Sequence, residues 1–228
     1  MSIQTKIGNV TLNIPTDVSE ITLGQFLDLR NWERDHNEPL GAFEVIEVLT
    51  GREQPELRSI KYTKKKAKQL QDVMALTNLL NASIQKFNTS PAKVAIPKSV
   101  SILGSEVKVS KELEALPFWP TRIVKDLIIS KKKEDPQYSE VNDFDRIIAH
   151  FLYAAYTGSK YNETRAEEFA EIVKSELKFV EGIQLGNFFL GKLSKWLMPK
   201  PKYWLLTIQL KKYRLVYRIS KFLGTSTH

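Results

Sequence analysis

The chain has 228 residues, of which 42% are hydrophobic and 26% are charged. These proportions are typical of a folded globular protein and do not favour extended disorder. The complete lack of cysteine excludes a disulfide framework, a thiol nucleophile and a zinc-thiolate site. The 34 Lys and Arg residues outnumber the 26 Asp and Glu residues, which gives a net charge of +8. The longest apolar runs are far shorter than a membrane-spanning helix requires, so we expect no membrane segment.

The first predicted element is an N-terminal β-hairpin over residues 1–16. Apolar and polar residues alternate on both sides of a Gly8-Asn9 turn, which is the pattern of two half-buried strands. Pro15 ends the second strand, because proline cannot donate a hydrogen bond to a ladder.

A helical region is predicted over residues 17–90. Thr22 and Gln25 have the spacing of a capping box at the start of the first helix. Gly51 stands where a helix C-terminus favours a left-handed residue. The three helices are expected at about 22–35, at about 40–50, and from Thr63 to about Phe87.

Four lysines crowd the first turn of the third helix. Lys64, Lys65, Lys66 and Lys68 oppose the helix macrodipole there. Either they form an ordinary solvated face, or they are held as a patch for an acidic partner.

Residues 91–110 are predicted to be a linker that includes a second hairpin. Pro91 and Pro97 favour a loop, and short apolar runs flank Gly104-Ser105-Glu106. A second helical region is predicted over residues 111–181, and a basic, aromatic-rich helical block over 182–228. Their helices are expected at 121–132, 142–157, 164–180, 184–197 and 203–222.

Two of these helices carry end signals. Asn142 can cap the helix predicted at 142–157, and Gly158 can end it. Thr164 and Glu167 offer a capping box for the next helix. The fold class is therefore mainly α, with helical domains and one or two small β-hairpins.

Groups that could carry chemistry are sparse in this sequence. None of the three histidines has a second metal-type ligand at a helpful spacing, so all are expected to be ordinary polar or half-buried residues. Asp143 and Asp145 fit the first turn of a helix, where the macrodipole favours carboxylates, and Glu163, Glu167, Glu168 and Glu171 fit a solvated helix face. We expect no catalytic residue, no cofactor and no metal.

The charge of this chain is unevenly distributed. No Asp or Glu follows Glu181, whereas residues 182–228 carry nine Lys or Arg and eight of the 23 aromatic residues. Residues 1–181 carry 25 basic and 26 acidic residues and are therefore nearly neutral. A region with one sign of charge favours an acidic counterpart.

The last predicted helix presents the basic residues as one ridge. Lys211, Arg214, Arg218 and Lys221 fall at i, i+3, i+7 and i+10, which is one helical face. Together with Trp204 they are the predicted partner-binding residues. The ridge can be a solvated face, a contact with an acidic protein, or a contact with a nucleic-acid backbone. Binding to a membrane surface is the least favoured interpretation.

Short pieces covering about half of the chain resemble a known family. The segment Ile14–Leu29 resembles the N-terminal segment of small morphogenesis and virion proteins of tailed bacteriophages, including crAss-like phages, in which a strand ending in Ile-Pro leads to an Ile-Thr-x-x-Gln-Phe helix start. The segments Val45–Gly51 with the following Lys-rich helix, Tyr161–Glu163 and Asn187–Leu190 look similar too.

This resemblance implies a non-enzymatic structural component of the virion. It would be a ring or collar protein near the portal and tail, or a packaged protein, assembled in the host cytoplasm as a homo-oligomer. Its implied partners are acidic surfaces of portal or tail subunits and packaged DNA, with no membrane. Two alternatives stay open, a tail-assembly chaperone and a non-specific nucleic-acid-binding protein.

Overall fold

The computed structural model describes residues 2–36, 40–60, 63–89, 96–109 and 117–197. Those ranges contain eight α-helices and two antiparallel two-stranded sheets, which confirms the predicted fold class. The strands are β1 (Ile3–Ile7), β2 (Val10–Ile14), β3 (Ser99–Ile102) and β4 (Ser105–Lys108). The helices are α1 (Leu23–His36), α2 (Ala42–Thr50), α3 (Gln54–Arg58), α4 (Lys64–Thr89), α5 (Phe118–Glu134), α6 (Phe144–Thr157), α7 (Glu163–Glu176) and α8 (Phe179–Leu197).

The chain divides into two units, Met1–Phe189 and Leu190–His228. The described part of the second unit is 190–197, which is the end of α8. The polar network, the cleft and the exposed helix face described below lie in the first unit.

The predicted N-terminal hairpin is present, with Ile3 opposite Ile14 and Ile7 opposite Val10. Gly8 has a φ of +65° in the turn, a conformation that glycine adopts without steric cost. One face of the hairpin is buried against α2, α3 and α4, because the period-2 alternation puts its apolar residues on that side. The buried residues of this cluster are Ile7, Leu12, Ile14, Ile46, Leu57, Ile60, Leu70 and Val73.

The predicted start of α1 and the predicted C-termini of α2 and α6 are confirmed. The backbone N–H of Thr22 donates to Gln25 Oε1 at 2.9 Å, and the N–H of Gln25 donates to Thr22 Oγ1 at 3.2 Å, so the capping box is closed. Gly51 and Gly158 both take the left-handed conformation just after a helix.

The core of the first unit centres on α6, which buries eight consecutive or near-consecutive side chains from Phe144 to Tyr153. Gly186 of α8 lies against the ring of Phe144, so close that a Cβ at that position would fall about 2.5 Å from Cε2. A side chain at Gly186 would therefore displace a fully buried aromatic ring.

The boundary predicted between the last two described helices is wrong. We predicted helices at 164–180 and 184–197, whereas α7 ends at Glu176 and α8 begins at Phe179. Leu177 is extended, and its carbonyl accepts from the N–H of Leu23 at 2.8 Å while the N–H of Phe179 donates to Ile21 O at 2.8 Å. This pairing with a distant segment interrupts the helix, and no local pattern reveals it.

Other local predictions need smaller corrections. Asn142 lies in a short 3-10 turn rather than at a helix cap, and Asn162 instead of Thr164 caps α7 by accepting from the N–H of Arg165 at 3.0 Å. Helix α5 is longer than predicted, and α3 was not predicted. The helix predicted at 203–222 lies outside the described residues.

A buried polar network as the candidate functional site

The strongest polar contact between α6 and α7 joins Arg146 to Glu167. The guanidinium donates from Nε to Oε2 and from Nη2 to Oε1, both at 2.8 Å, which is the bidentate geometry of the strongest charged pairs. The pairing lowers the pKa of Glu167 and raises that of Arg146, so both groups are charged. Because α6 and α7 are joined only by residues 158–162, this pair ties two helices that are also neighbours in the chain.

His150 extends the network into the core. Its side chain is 0% exposed, its Nε2 lies 3.0 Å from Oε1 of Glu167, and its Nδ1 lies 2.8 Å from the hydroxyl of Tyr161. Burial lowers the pKa of His150 more strongly than Glu167 raises it, so the imidazole is neutral. Since Glu167 is ionised and can only accept, Nε2 donates to it, and Nδ1 accepts from the Tyr161 hydroxyl.

The other end of the network leads to the segment before α6. Nη1 of Arg146 lies 3.5 Å from Oδ1 of Asp143, and the hydroxyl of Tyr138 donates to Oδ2 of Asp143 at 2.6 Å. Burial and this hydrogen bond raise the pKa of Tyr138, and burial raises that of Tyr161 to about 12, so both phenols are protonated donors. The network thus runs continuously from Tyr138 through Asp143, Arg146, Glu167 and His150 to Tyr161.

This arrangement holds secondary structure together. Both ring nitrogens of His150 are occupied and its side chain is closed to solvent, so the network as it stands orders the loops on either side of α6. The side chains of this network satisfy one another's hydrogen bonds, which offsets the desolvation penalty that an unpaired group would suffer.

A second polar centre lies on another side of α6. Oδ1 of Asp145 is buried without a hydrogen-bond partner among the described residues. The nearby amine of Lys174 on α7 is 2.9 Å from Oδ1 of Asp28 on α1, so that cation is already paired. Burial raises the pKa of Asp145 to about 6, with a smaller contribution from the charge of Asp143.

A polar cleft of about 430 Å³ opens between α1 and the end of α5. Arg30 fixes one wall, because its Nε donates to Oδ1 of Asn142 at 3.0 Å and its Nη2 donates to Oγ of Ser139 at 3.2 Å. The cleft mixes both signs of charge. Its lining residues include Asn31, Arg34, Lys131, Glu134, Asp135 and Tyr138.

The predicted partner-binding residues Trp204, Lys211, Arg214, Arg218 and Lys221 all lie outside the described residues. The predicted lysine patch of α4 is described, and three of its four members, Lys64, Lys65 and Lys68, are exposed. Four lysines at this helix start have no ion pair with any described residue.

The network residues escaped the sequence analysis. The sequence predicts an ordinary polar or half-buried His150, but this residue is 1% exposed. It also predicts that Glu167 lies on a solvated face together with Glu163, Glu168 and Glu171. Those three glutamates are exposed, whereas Glu167 is turned toward α6. The sequence contains one signal for this cluster: Arg146 and His150 stand at i and i+4 on one helix, and Glu167 lies in the second turn of the next helix in the sequence.

In the described part of the chain, no group of three His, Asp or Glu side chains is arranged to hold a metal ion. The same residues contain no helix that is both long and apolar enough to cross a bilayer. Comparison with known proteins gave no match to a protein family, a curated protein or a solved structure.

Proposed function

We propose that this chain is a non-enzymatic structural component of a tailed-phage virion, present in several copies near the portal and tail, and that it docks through its basic C-terminal block. The observation that carries the proposal is the charge distribution: the block has nine basic residues and no acidic one, against a nearly neutral remainder. Its ridge of Lys211, Arg214, Arg218 and Lys221, with Trp204, would meet an acidic surface of a neighbouring subunit.

Two features of the body support a structural role. His150 and Glu167 have the strongest potential for acid–base chemistry. Their polar atoms are already hydrogen-bonded between α6 and α7, His150 to Glu167 and Glu167 to Arg146. The resemblance of Ile14–Leu29 to phage morphogenesis proteins supports a tailed-phage particle as the assembly in which this role is played.

The first experiment asks whether the chain stays in the particle. Mass spectrometry of purified virions of the phage that encodes it should detect the chain at a fixed stoichiometry. Its presence in assembly intermediates but not in mature particles would replace the structural role by that of a tail-assembly chaperone.

The second experiment tests the docking residues. Reversing charge with Arg214→Glu and Arg218→Glu should block incorporation into particles and leave the circular dichroism spectrum unchanged. Lys160→Glu with Arg165→Glu is the matched control, since it changes the net charge equally at two exposed residues near the start of α7. Incorporation of the Arg214 and Arg218 variant at the control level would overturn the proposed docking surface.

A salt titration identifies a DNA partner. Filter binding of a double-stranded and a poly-dT oligonucleotide should show little affinity if the block meets protein. Tight binding that falls steeply with salt would instead assign the block to nucleic acid, because phosphate contacts release counterions.

A further inference from the structure

Helix α5 exposes a face that its own unit does not cover. Five exposed residues on it, Trp119, Arg122, Asp126, Ile129 and Lys133, recur at i, i+3, i+7, i+10 and i+14. This 3-and-4 alternation is the spacing of a seam along which one helix packs against another. The inward face of α5 is separate and is formed by Pro120, Thr121, Val124 and Ile128.

The exposed face begins with an aromatic patch. Phe118 is 65% exposed and Trp119 is 57% exposed, and their rings meet edge to face at 5.3 Å. The guanidinium of Arg122 lies 5.9 Å from the centre of the indole ring. Large aromatic side chains and arginine are the residue types that most often anchor protein interfaces.

The order of residues along the seam is self-complementary. In an antiparallel helix pair centred on position 124, Trp119 of one copy faces Ile129 of the second copy, because the two numbers are equidistant from 124. The same centre places Arg122 opposite Asp126 of the second copy. Both the apolar contact and the ion pair then occur twice, once on each side of a two-fold axis.

We propose that α5 forms a two-fold interface between two copies of this chain, in which the seams pack antiparallel with Trp119 against Ile129 and Arg122 against Asp126. Each Arg122 now lies 3.8 Å from Asp126 of its own helix, an exposed pair with side chains 59% and 64% exposed. On association these partners exchange between copies, so no charge is left unpaired.

The seam favours a second copy over a nucleic acid. Asp126 lies in the middle of the face and would repel a phosphate backbone, and Ile129 offers it no polar contact. An unrelated protein partner would require neither the equal spacing from position 124 nor the pairing of opposite charges about it.

The interface is small. Helix α5 has 17 residues and is about 25 Å long, so a single helix pair buries less than a standard stable interface. We therefore expect a reversible dimer whose population depends on concentration. The pairing is independent of the proposed function, because a ring requires a heterologous contact and this contact closes at two copies.

Charge exchange tests the register. Sedimentation velocity of the full chain over a wide concentration range should show a monomer–dimer equilibrium. Arg122→Glu or Asp126→Arg alone places like charges opposite each other and should raise the dissociation constant about tenfold or more. The double variant Arg122→Glu, Asp126→Arg restores opposite charges and should recover dimerisation.

The matched control is the exposed pair Arg52 and Glu56, which also has i, i+4 spacing and a distance of 3.7 Å. Arg52→Glu should leave the dissociation constant unchanged. If other surfaces build a larger assembly, the α5 reversals should halve its mass. A wild-type chain that stays monomeric at high concentration, or a double variant that fails to recover, would overturn the interface.

Cross-linking tests the orientation, since the natural chain has no cysteine. An oxidised mixture of Trp119→Cys and Ile129→Cys variants should give a disulfide-linked dimer, whereas each variant alone should not. Cross-linking of Trp119→Cys alone would show a parallel pair and overturn the antiparallel register. Absence of any cross-link in the mixture would overturn the contact.

Discussion

Two neighbouring residues of α6, Asp145 and Arg146, belong to different polar centres. In the centre of Arg146 both carboxylate oxygens accept hydrogen bonds, whereas in the centre of Asp145 one buried carboxylate oxygen accepts none from the described residues. On the Arg146 side, one carboxylate, Glu167, receives a bidentate guanidinium and an imidazole N–H. On the Asp145 side, the nearby cation, Lys174, is already held by Asp28.

The pKa values follow this difference. The hydrogen bonds from Arg146 lower the pKa of Glu167, whereas burial raises that of Asp145 to about 6. Glu167 is the more exposed carboxylate, and the hydrogen bonds from Arg146 outweigh its desolvation. For Asp145 desolvation outweighs the hydrogen bond from the backbone of Arg146, so burial and the donors that reach each carboxylate together set the direction.

Removing the carboxylate of the satisfied centre should have the largest effect. Glu167→Ala leaves Arg146 without its bidentate partner and Nε2 of His150 without an acceptor. Breaking a buried pair typically costs about 3–5 kcal/mol, and the side chain of Glu167 is 35% exposed, so we expect a loss of about 2–3 kcal/mol. Urea denaturation at pH 7.5 measures it.

Glu168→Ala is the control for this variant, because Glu168 is the exposed neighbour on the same helix. We expect its unfolding free energy to stay within about 0.5 kcal/mol of the natural chain. Equal effects of the two variants would show that the network does not hold α6 to α7.

Removing the charge of Asp145 should raise the free energy of unfolding, whereas removing the carboxylate of Glu167 should lower it. A folded pKa of about 6 against the ordinary value of 3.8 means that ionised Asp145 destabilises the fold above pH 6. Asp145→Asn should therefore stabilise the chain by about 1–2 kcal/mol at pH 8, and the gain should shrink as the pH falls through 6 and vanish near 4. Thermal unfolding over that range measures it.

The exposed residue Asp72 of α4 provides the control, since Asp72→Asn should change stability little at any of these pH values. A loss of stability in Asp145→Asn at pH 8 would mean that the carboxylate is needed in its charged form.

The sequence predicts the elements far better than the polar centres. Thr22, Gln25, Gly51 and Gly158 act within a few residues of their own helix ends, so their signals are local and their predictions are confirmed. The break at Leu177 depends on backbone pairing with Ile21–Leu23, more than 150 residues away, and has no local signal.

The same contrast between local signals and long-range packing explains why the polar network could not be predicted from the sequence. Nothing in the spacing of glutamates along α7 shows that Glu167 alone turns inward, because that depends on how α7 packs against α6. The part of the basic block that follows residue 197 lies outside the described residues, so its ridge remains a prediction from the sequence.

A smaller effect is expected where the network ends. Tyr161→Phe removes the hydroxyl that donates to Nδ1 of His150 and leaves that nitrogen buried without a partner. We expect a loss of about 1–2 kcal/mol in urea denaturation. Tyr156→Phe is the control, because its ring stacks on Phe169 at 4.7 Å and its hydroxyl has no partner among the described residues. A Tyr161→Phe variant as stable as this control would remove Tyr161 from the network.

The smallest effect is the pH dependence that His150 contributes. Its folded pKa lies below the ordinary value of 6.5, so the unfolded chain binds the proton first and stability is lost as the pH falls below 6.5. Asp145 acts in the opposite direction, and the Asp145→Asn background removes that opposing contribution. In this background stability should fall between pH 7.5 and 5.5, by no more than about 1.4 kcal/mol per pH unit for the one proton.

Adding His150→Gln to Asp145→Asn isolates the imidazole, because a glutamine amide can still donate to Glu167 but does not titrate. The slope should flatten relative to Asp145→Asn alone, while the other two histidines contribute equally to both variants and cancel. An unchanged slope would mean that His150 binds its proton equally in the folded and the unfolded chain, and a steeper loss would mean that its folded pKa lies above 6.5. In the second case the protonated imidazole would donate from Nδ1 to the Tyr161 hydroxyl, and the charge of Glu167 would outweigh the burial of His150.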